Sequence, residues 1–356
     1  MTEAAPDREN STSVKESLDV LRQRMPDILA EAQVKVRNGT LGLIGWGLAQ
    51  PRVRQMGESS EHWCFVGDLH GDFLAWFRLF EHVRRRQDFR LCLVGDLVDR
   101  GPFSVECFAA VLEAALRFPG QILWIKGNHD EGVCWSSAMK RFVATTEPAE
   151  FVDWLNVEPV EPNNRMAWGR LFVDVVRRLP VAVRFDDGLL ATHGGIPLVD
   201  LWPLTSLEAL HSWRALADFT WGRCAAVPRN ASHRMVEERQ TSPSRSGFGH
   251  RDFDDFCIEV ATVFPVERMV RGHDHVAEGA DIPDSYEGKL LTLTACGFVN
   301  QYGMTYYGAD GPYRRSLSVA VGKAGELPEA QAVDLMLGEI EAVYPEFRGT
   351  PELAEE

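Results

Sequence analysis

The sequence predicts an α/β fold built on parallel strands, and three observations carry that expectation. Short apolar runs end repeatedly in a tight polar loop: WCFVGDLHGD (63–72), LCLVGDLVDRG (91–101), ILWIKGNHDE (122–131), LLATHGG (189–195) and MVRGHDH (269–275). Such runs, rich in Leu, Ile, Val, Trp and Cys, read as buried strands. Helical patterns at 73–86 and 104–118 separate the first three runs, and strand–helix alternation at this spacing implies βαβ units. In open α/β sheets the loops at the carboxyl ends of the strands form the ligand crevice, so all five polar loops are expected at one site.

Taken in order, residues 1–13 are polar and read as disordered. An amphipathic helix follows over 14–36, with Leu18, Leu21, Met25, Ile28, Leu29 and Ala32 at helical spacing and Gly39 as its stop. Residues 42–60 read as mixed loop. Beyond His193 the pattern loosens, and 223–252, rich in Arg, Ser and Pro, reads as a mobile loop and candidate substrate flap. Strands resume at 290–296 and 317–322, and 328–344 reads as a C-terminal amphipathic helix before a solvated tail.

Composition narrows the function. The 356 residues hold 37 Lys+Arg against 52 Asp+Glu, a net charge of −15. That balance disfavours binding along a nucleic-acid backbone, yet leaves room for a phosphorylated substrate met by a few local arginines. No apolar run approaches the ~18–20 residues that cross a membrane. The acidic, polar N-terminus does not resemble a secretory signal. Seven scattered cysteines without CxxC pairs suit reduced thiols in a cytoplasmic protein.

The chemistry sits in the five loops, which hold Asp68, His70, Asp96, Asp99, Arg100, Asn128, His129, His193, His273 and His275. A mixture of carboxylates, imidazoles and one amide suits two divalent ions sharing a carboxylate. Imidazole favours zinc, iron and manganese, while oxygen donors favour manganese and magnesium. The remaining histidines (62, 82, 211, 233 and 250) lie in no motif and read as structural or exposed. Trp76, Trp124 and Trp221 read as core, and packing is the expected role of Trp135, Trp168 and Trp202.

GDLHG, GDLVDRG, GNHD, HGG and RGH, in this order, resemble the signature of the calcineurin-like metallophosphoesterases, and more narrowly of the phosphoprotein phosphatases that act on serine and threonine. LPVAVRFDDGLLATHGG, DFTWG and GFG are similar to further segments of that family, and the resemblance covers roughly 61–310. It implies a four-layer αββα sandwich with residues 1–60 as an N-terminal helical extension, 61–325 as the catalytic domain and 326–356 as a C-terminal helix and tail. It implies Asp68 and His70 on a first ion, Asp96 bridging, and Asn128, His193 and His273 on the second. His129 is implied as the proton donor to the leaving group, Asp99 as its orienting partner, and Arg100, with Asn128 and His129, as phosphate-binding. The implied cofactors are two divalent ions, manganese first, with iron or zinc as alternatives. The implied nucleophile is a water or hydroxide held by both ions, attacking phosphorus in line. The implied partner is a phosphorylated protein or a small phosphorylated substrate.

Three departures stand out. The second phosphate-binding arginine is assigned to Arg245, with Arg239 and Arg251 open. GNHD replaces the usual GNHE at Asp130. RGHDH adds His275, either a further ligand of the first ion or a residue outside the metal shell. The family's active-site tyrosine is placed at Tyr302, with Tyr306 and Tyr307 as rivals. Two other functions fit the motifs: a dinucleoside polyphosphate or other nucleotide phosphohydrolase, and a catalytically silent scaffold. The complete set of reactive residues speaks against the scaffold.

Overall fold

Side-chain alternation along the strands sorts this chain into layers. The computed structural model describes residues 13–47, 52–157, 162–198, 206–224, 247–299 and 312–347. Among them, one six-stranded sheet runs β1 (Leu43–Ile44), β5 (Ile122–Trp124), β4 (Arg90–Leu93), β3 (Trp63–Val66), β15 (Ser316–Val321), β16 (Glu329–Asp334). Its first four strands are parallel, and β15 and β16 extend it antiparallel. The second six-stranded sheet runs β13 (Ala280–Asp281), β14 (Leu290–Leu293), β12 (Arg268–Arg271), β9 (Leu189–Thr192), β8 (Ala182–Arg184), β2 (Val53–Gln55), with β14, β12 and β9 parallel. Two small ribbons accompany them: the hairpin of β6 (Val133–Ser136) and β7 (Arg141–Ala144), and the parallel pair β10 (Arg223–Cys224) and β11 (Gly247–Phe248).

The sheets pack face to face. Trp63, Phe65, Cys92, Val94 and Leu123 of the first meet Phe185, Leu189, Ala191, Val270 and Leu291 of the second in one buried cluster. The alternate residues Cys64, Val66, Leu91, Leu93, Ile122 and Trp124 point outward under helices. Those helices are α1 (Val14–Asn38), α2 (Phe73–Arg84), α3 (Ser104–Arg117), α6 (Pro162–Val176) and α9 (Leu337–Val343). Over the second sheet, α7 (Trp213–Trp221) and α8 (His250–Val260) pack Phe219, Phe253 and Phe256 on Leu190 and Met269. Two shorter helices among the described residues are α4 (Asn128–Gly132) and α5 (Glu150–Asn156). The layer order is helix, sheet, sheet, helix, the αββα architecture expected from the sequence.

Helix α1 begins at a capping box between Ser13 and Glu16 and ends where Gly39 turns left-handed at φ 72°. It buries Leu18, Leu21, Ile28, Leu29 and Ala32 against α3 and α6. Burial of each such aliphatic side chain contributes on the order of 1.5–3 kcal/mol, so the helix is part of the core.

Three segments differ from their sequence reading. Residues 42–60, expected as loop, supply an edge strand to each sheet through β1 and β2, which are too short to display an alternation. Residues 328–344, expected as one helix, divide into β16 and α9. Six residues of β16 pair along β15, and that ladder overrides the helical propensity of its alanines. Within 223–252, expected as mobile loop, both ends are ordered as β10, β11 and the start of α8.

Candidate active site

Five strand ends deliver the polar loops to one edge of the sandwich. Asp68 and His70 follow β3, Asp96, Asp99 and Arg100 follow β4, and Asn128 and His129 open α4 after β5. His193 follows β9 and His273 follows β12. The two sheets meet here: backbone N–H groups of Ala295 and Cys296 donate to the carbonyl of Asp68 at 3.1 and 2.7 Å. A Cβ at Gly67 would lie 2.2 Å from the Leu293 carbonyl oxygen, so only glycine permits this approach.

Five of the candidates adopt left-handed backbone: His70 at φ 47°, Asp96 at 51°, Asp99 at 70°, Arg100 at 68° and His273 at 69°. Such conformations cost non-glycine residues on the order of 1 kcal/mol each and persist where surrounding bonds enforce them. Here the N–H of His70 donates to the Asp96 carbonyl (2.9 Å), and that of Gly101 to the His70 carbonyl (2.8 Å). Asp130 ties the loops further, its carboxylate accepting the backbone N–H of Leu97 and of Gly127, both at 2.9 Å.

Two buried triads result, Asp68–His70–Asp96 and Asp96–His193–His273, each with its ligand atoms within 4.8 Å of one another and with Asp96 common to both. Nδ1 of His70 donates to the Val98 carbonyl (2.9 Å), which turns Nε2 toward Asp96 (3.6 Å) and Asp68 (3.8 Å). Burial holds the imidazoles of His70 and His273 well below the usual histidine range, so both are neutral. Burial acts in the same sense on His193, but Asp96 and Asp68 outweigh it and push its pKa up to about 9. His193 donates Nδ1–H to the Val94 carbonyl (2.8 Å) and Nε2–H to Asn128 Oδ1 (2.9 Å). Burial opposes the charge on Asp96 too, yet His193, His129 and His70 prevail and hold its carboxyl well below the ordinary range. Burial, aided by Asp96, pushes Asp68 up to about 6.

Beside the triads, Nδ1 of His129 donates to Asp99 Oδ2 at 2.7 Å. The other Asp99 oxygen accepts the Phe151 N–H (2.9 Å), and the Arg100 N–H donates to Glu150 (3.0 Å). Nη2 of Arg100 lies 3.4 Å from Nε2 of His129, and Nη1 donates to Nε2 of His275 at 2.6 Å. His275 stands outside both triads, its ring parallel to that of His70 at 6.1 Å. A cavity of about 720 Å³ opens over this group, lined by Arg100, Asn128, His129, His273 and His275.

A family model for calcineurin-like phosphoesterases matches residues 64–277. The chain belongs to that family. The chain is 26% identical over 236 residues to the serine/threonine-protein phosphatase PP2A-like PPG1 of Candida albicans, covering 64% of this chain and 50% of that protein. It is 26% identical over 229 residues to the serine/threonine-protein phosphatase 4 catalytic subunit of Candida glabrata, covering 64% and 66% respectively. A solved protein serine/threonine phosphatase from Saccharomyces cerevisiae, described as similar to human phosphatase PP5, shares the fold. Its TM-score is 0.54 at 16% identity, covering 88% of this chain and 90% of that one. The chain thus spans between half and two thirds of the length of these two curated relatives.

Family membership implies divalent metal ions, and the residues of this chain fit them. Nε2 of His70 and Nε2 of His273 are buried without a hydrogen-bond partner, an arrangement that costs stability unless a cation takes the lone pair. Both imidazoles are neutral, as ligands must be. Two carboxylates complete a donor set of mixed nitrogen and oxygen.

The sequence reading did not reach every lining residue. Arg223, Thr145, Thr146 and Glu147 also face the cavity. Trp221, read as core, is half-buried and lines it. Arg245, Arg239 and the tyrosines 302, 306 and 307 lie outside the described residues. Arg251, the remaining alternative for the second arginine, is exposed on α8 and faces a separate hollow with Tyr286 and Lys289. Arg223 had a signal of its own, since it directly follows the DFTWG segment.

Proposed function

We propose that this protein is a phosphomonoester hydrolase acting on phosphoserine and phosphothreonine in proteins. One observation carries the reading: two triads joined at Asp96 lie beneath a cavity that also presents an Asp-oriented imidazole and two guanidinium groups. Asp68, His70 and Asp96 would hold one cation, and Asp96, Asn128, His193 and His273 the other. His275, beside His70, stays the candidate additional ligand. Bound divalent cations supply Lewis acidity toward a phosphoryl group and activation of water.

The chain's own residues do the rest. Arg100 and Arg223 bind phosphoryl oxygens, for which the planar guanidinium fork is suited. Asp99 accepts Nδ1–H of His129 and turns Nε2 to the cavity side, so that the doubly protonated ring gives its Nε2 proton to the departing serine or threonine oxygen and is left neutral, with Nδ1–H still on Asp99. The mixed donors favour manganese, with iron or zinc as alternatives. Seven unpaired cysteines support a reducing, cytoplasmic setting. The relatives named as serine/threonine-protein phosphatases support a phosphoprotein substrate.

A substrate panel tests this. Stripped protein reloaded with each metal is offered a phosphoserine peptide, p-nitrophenyl phosphate and diadenosine tetraphosphate. The expected kcat/KM for the peptide exceeds that for the dinucleotide by about a hundredfold or more. The reverse order would replace the protein substrate by a nucleotide anhydride. Silence on all three would point to a binding scaffold.

A further inference from the structure

Arg223 reaches the cavity from β10, with a side chain 42% exposed, and a long flexible side chain there needs something to hold it. Asp274 supplies that hold. It lies in the loop after β12, between His273 and His275, and both its oxygens are engaged. Oδ1 accepts from Nη1 of Arg223 at 3.0 Å. Oδ2 accepts the backbone N–H of Cys224 at 2.8 Å and Nη1 of Arg271 at 2.5 Å.

Arg271 is a buried anchor for this arrangement. It is fully buried, and its guanidinium donates to the carbonyls of Gly194 and Gly222. It therefore joins the loop after β9, the end of α7 and the loop after β12. A carboxylate near a phosphate cavity would ordinarily repel the ligand. Here two guanidinium groups flank it, so the Arg271–Asp274–Arg223 unit carries a net positive charge, and Arg223 is its member on the cavity.

We propose that Asp274 is a positioning residue that holds the Arg223 guanidinium on the cavity, ready for a phosphoryl group. The proposal rests on the reading that the cavity binds phosphate esters. The competing role for Asp274 is as counter-ion to the buried Arg271 alone, with no consequence for ligand binding.

The test uses the metal-loaded full chain and inorganic phosphate as the probe, with affinity measured by calorimetry, which needs no turnover, and by competition against p-nitrophenyl phosphate. Asp274→Asn and Arg223→Ala are each expected to weaken phosphate binding and raise KM about tenfold, with kcat within about threefold, as loss of a charge-assisted contact does. The double variant should bind phosphate no more weakly than Arg223→Ala alone, and metal content should not change. Asp274→Glu keeps a counter-ion beside Arg271 while displacing the carboxylate, and it too should weaken phosphate binding. That variant carries the test if Asp274→Asn does not fold.

Losses that multiply in the double variant would overturn the proposal. So would a fall in kcat with phosphate affinity intact, or unchanged affinity in Asp274→Glu. A wild-type chain that binds no phosphate and hydrolyses no ester would instead overturn the phosphatase reading, and this proposal with it.

Discussion

His129 depends on Asp99 for its orientation, and Asp99 depends in turn on the Phe151 N–H. His129→Asn is therefore expected to cut kcat on a phosphoserine peptide by about 10²–10⁴, the usual worth of a general acid. The same variant should lose far less on p-nitrophenyl phosphate, whose leaving group needs no proton. Equal losses on both substrates would remove the acid role. His193 makes a different prediction. Its folded pKa of about 9 lies above the ordinary 6.5, so its contribution to stability is fully present below pH 6.5 and lost as pH rises through 9. A cation would take the place of that proton. Thermal melts from pH 6.5 to 9 should fall in chelator and fall less with manganese; parallel curves would contradict the exchange. At this scale the convergence of the candidates was legible: His129 and the metal-site candidates, His193 among them, stand in short motifs at strand ends. Arg223, Asp274 and Arg271 were not assigned roles, because their contacts join loops that no local pattern relates.

Helices α1, α2 and α3 were legible from periodicity, because each buries a broad apolar stripe, that of α1 against α3 and α6. Strands β3, β4, β5, β9, β12, β14 and β15 were legible as continuous apolar runs, because they are buried on both faces. Elements on the periphery escaped. β1 and β2 are too short for any period, β16 is mostly exposed, and the β6–β7 hairpin carries no turn signature read from the sequence. Helix α1 offers a quantitative check on what secures an element. Leu21 is 4% exposed, and Leu21→Ala is expected to cost about 2–5 kcal/mol in chemical denaturation. Arg22 pairs with Glu106 at 2.8 Å but is half-exposed, so Arg22→Ala should cost no more than about 1 kcal/mol. The opposite ranking would mean that ion pairs, not apolar burial, fix α1.

Across the whole molecule, the sandwich brings together candidate ligands from two sheets that are far apart in sequence: Asp68 accepts the backbone N–H of His273, 205 residues away, at 3.0 Å. The family motifs made that convergence legible, but they left open which arginine joins Arg100, since the answer depends on packing of the second sheet against α7. Asp96 is where the two halves meet, the one residue common to both triads. The most direct measurement follows from that position. Manganese is titrated into metal-stripped protein while p-nitrophenyl phosphate hydrolysis and bound metal are followed together, with Asp96→Asn alongside. The account predicts that turnover grows with a second bound equivalent and that Asp96→Asn is inactive at every metal concentration. Full turnover with a single ion, or a working Asp96→Asn enzyme, would contradict it.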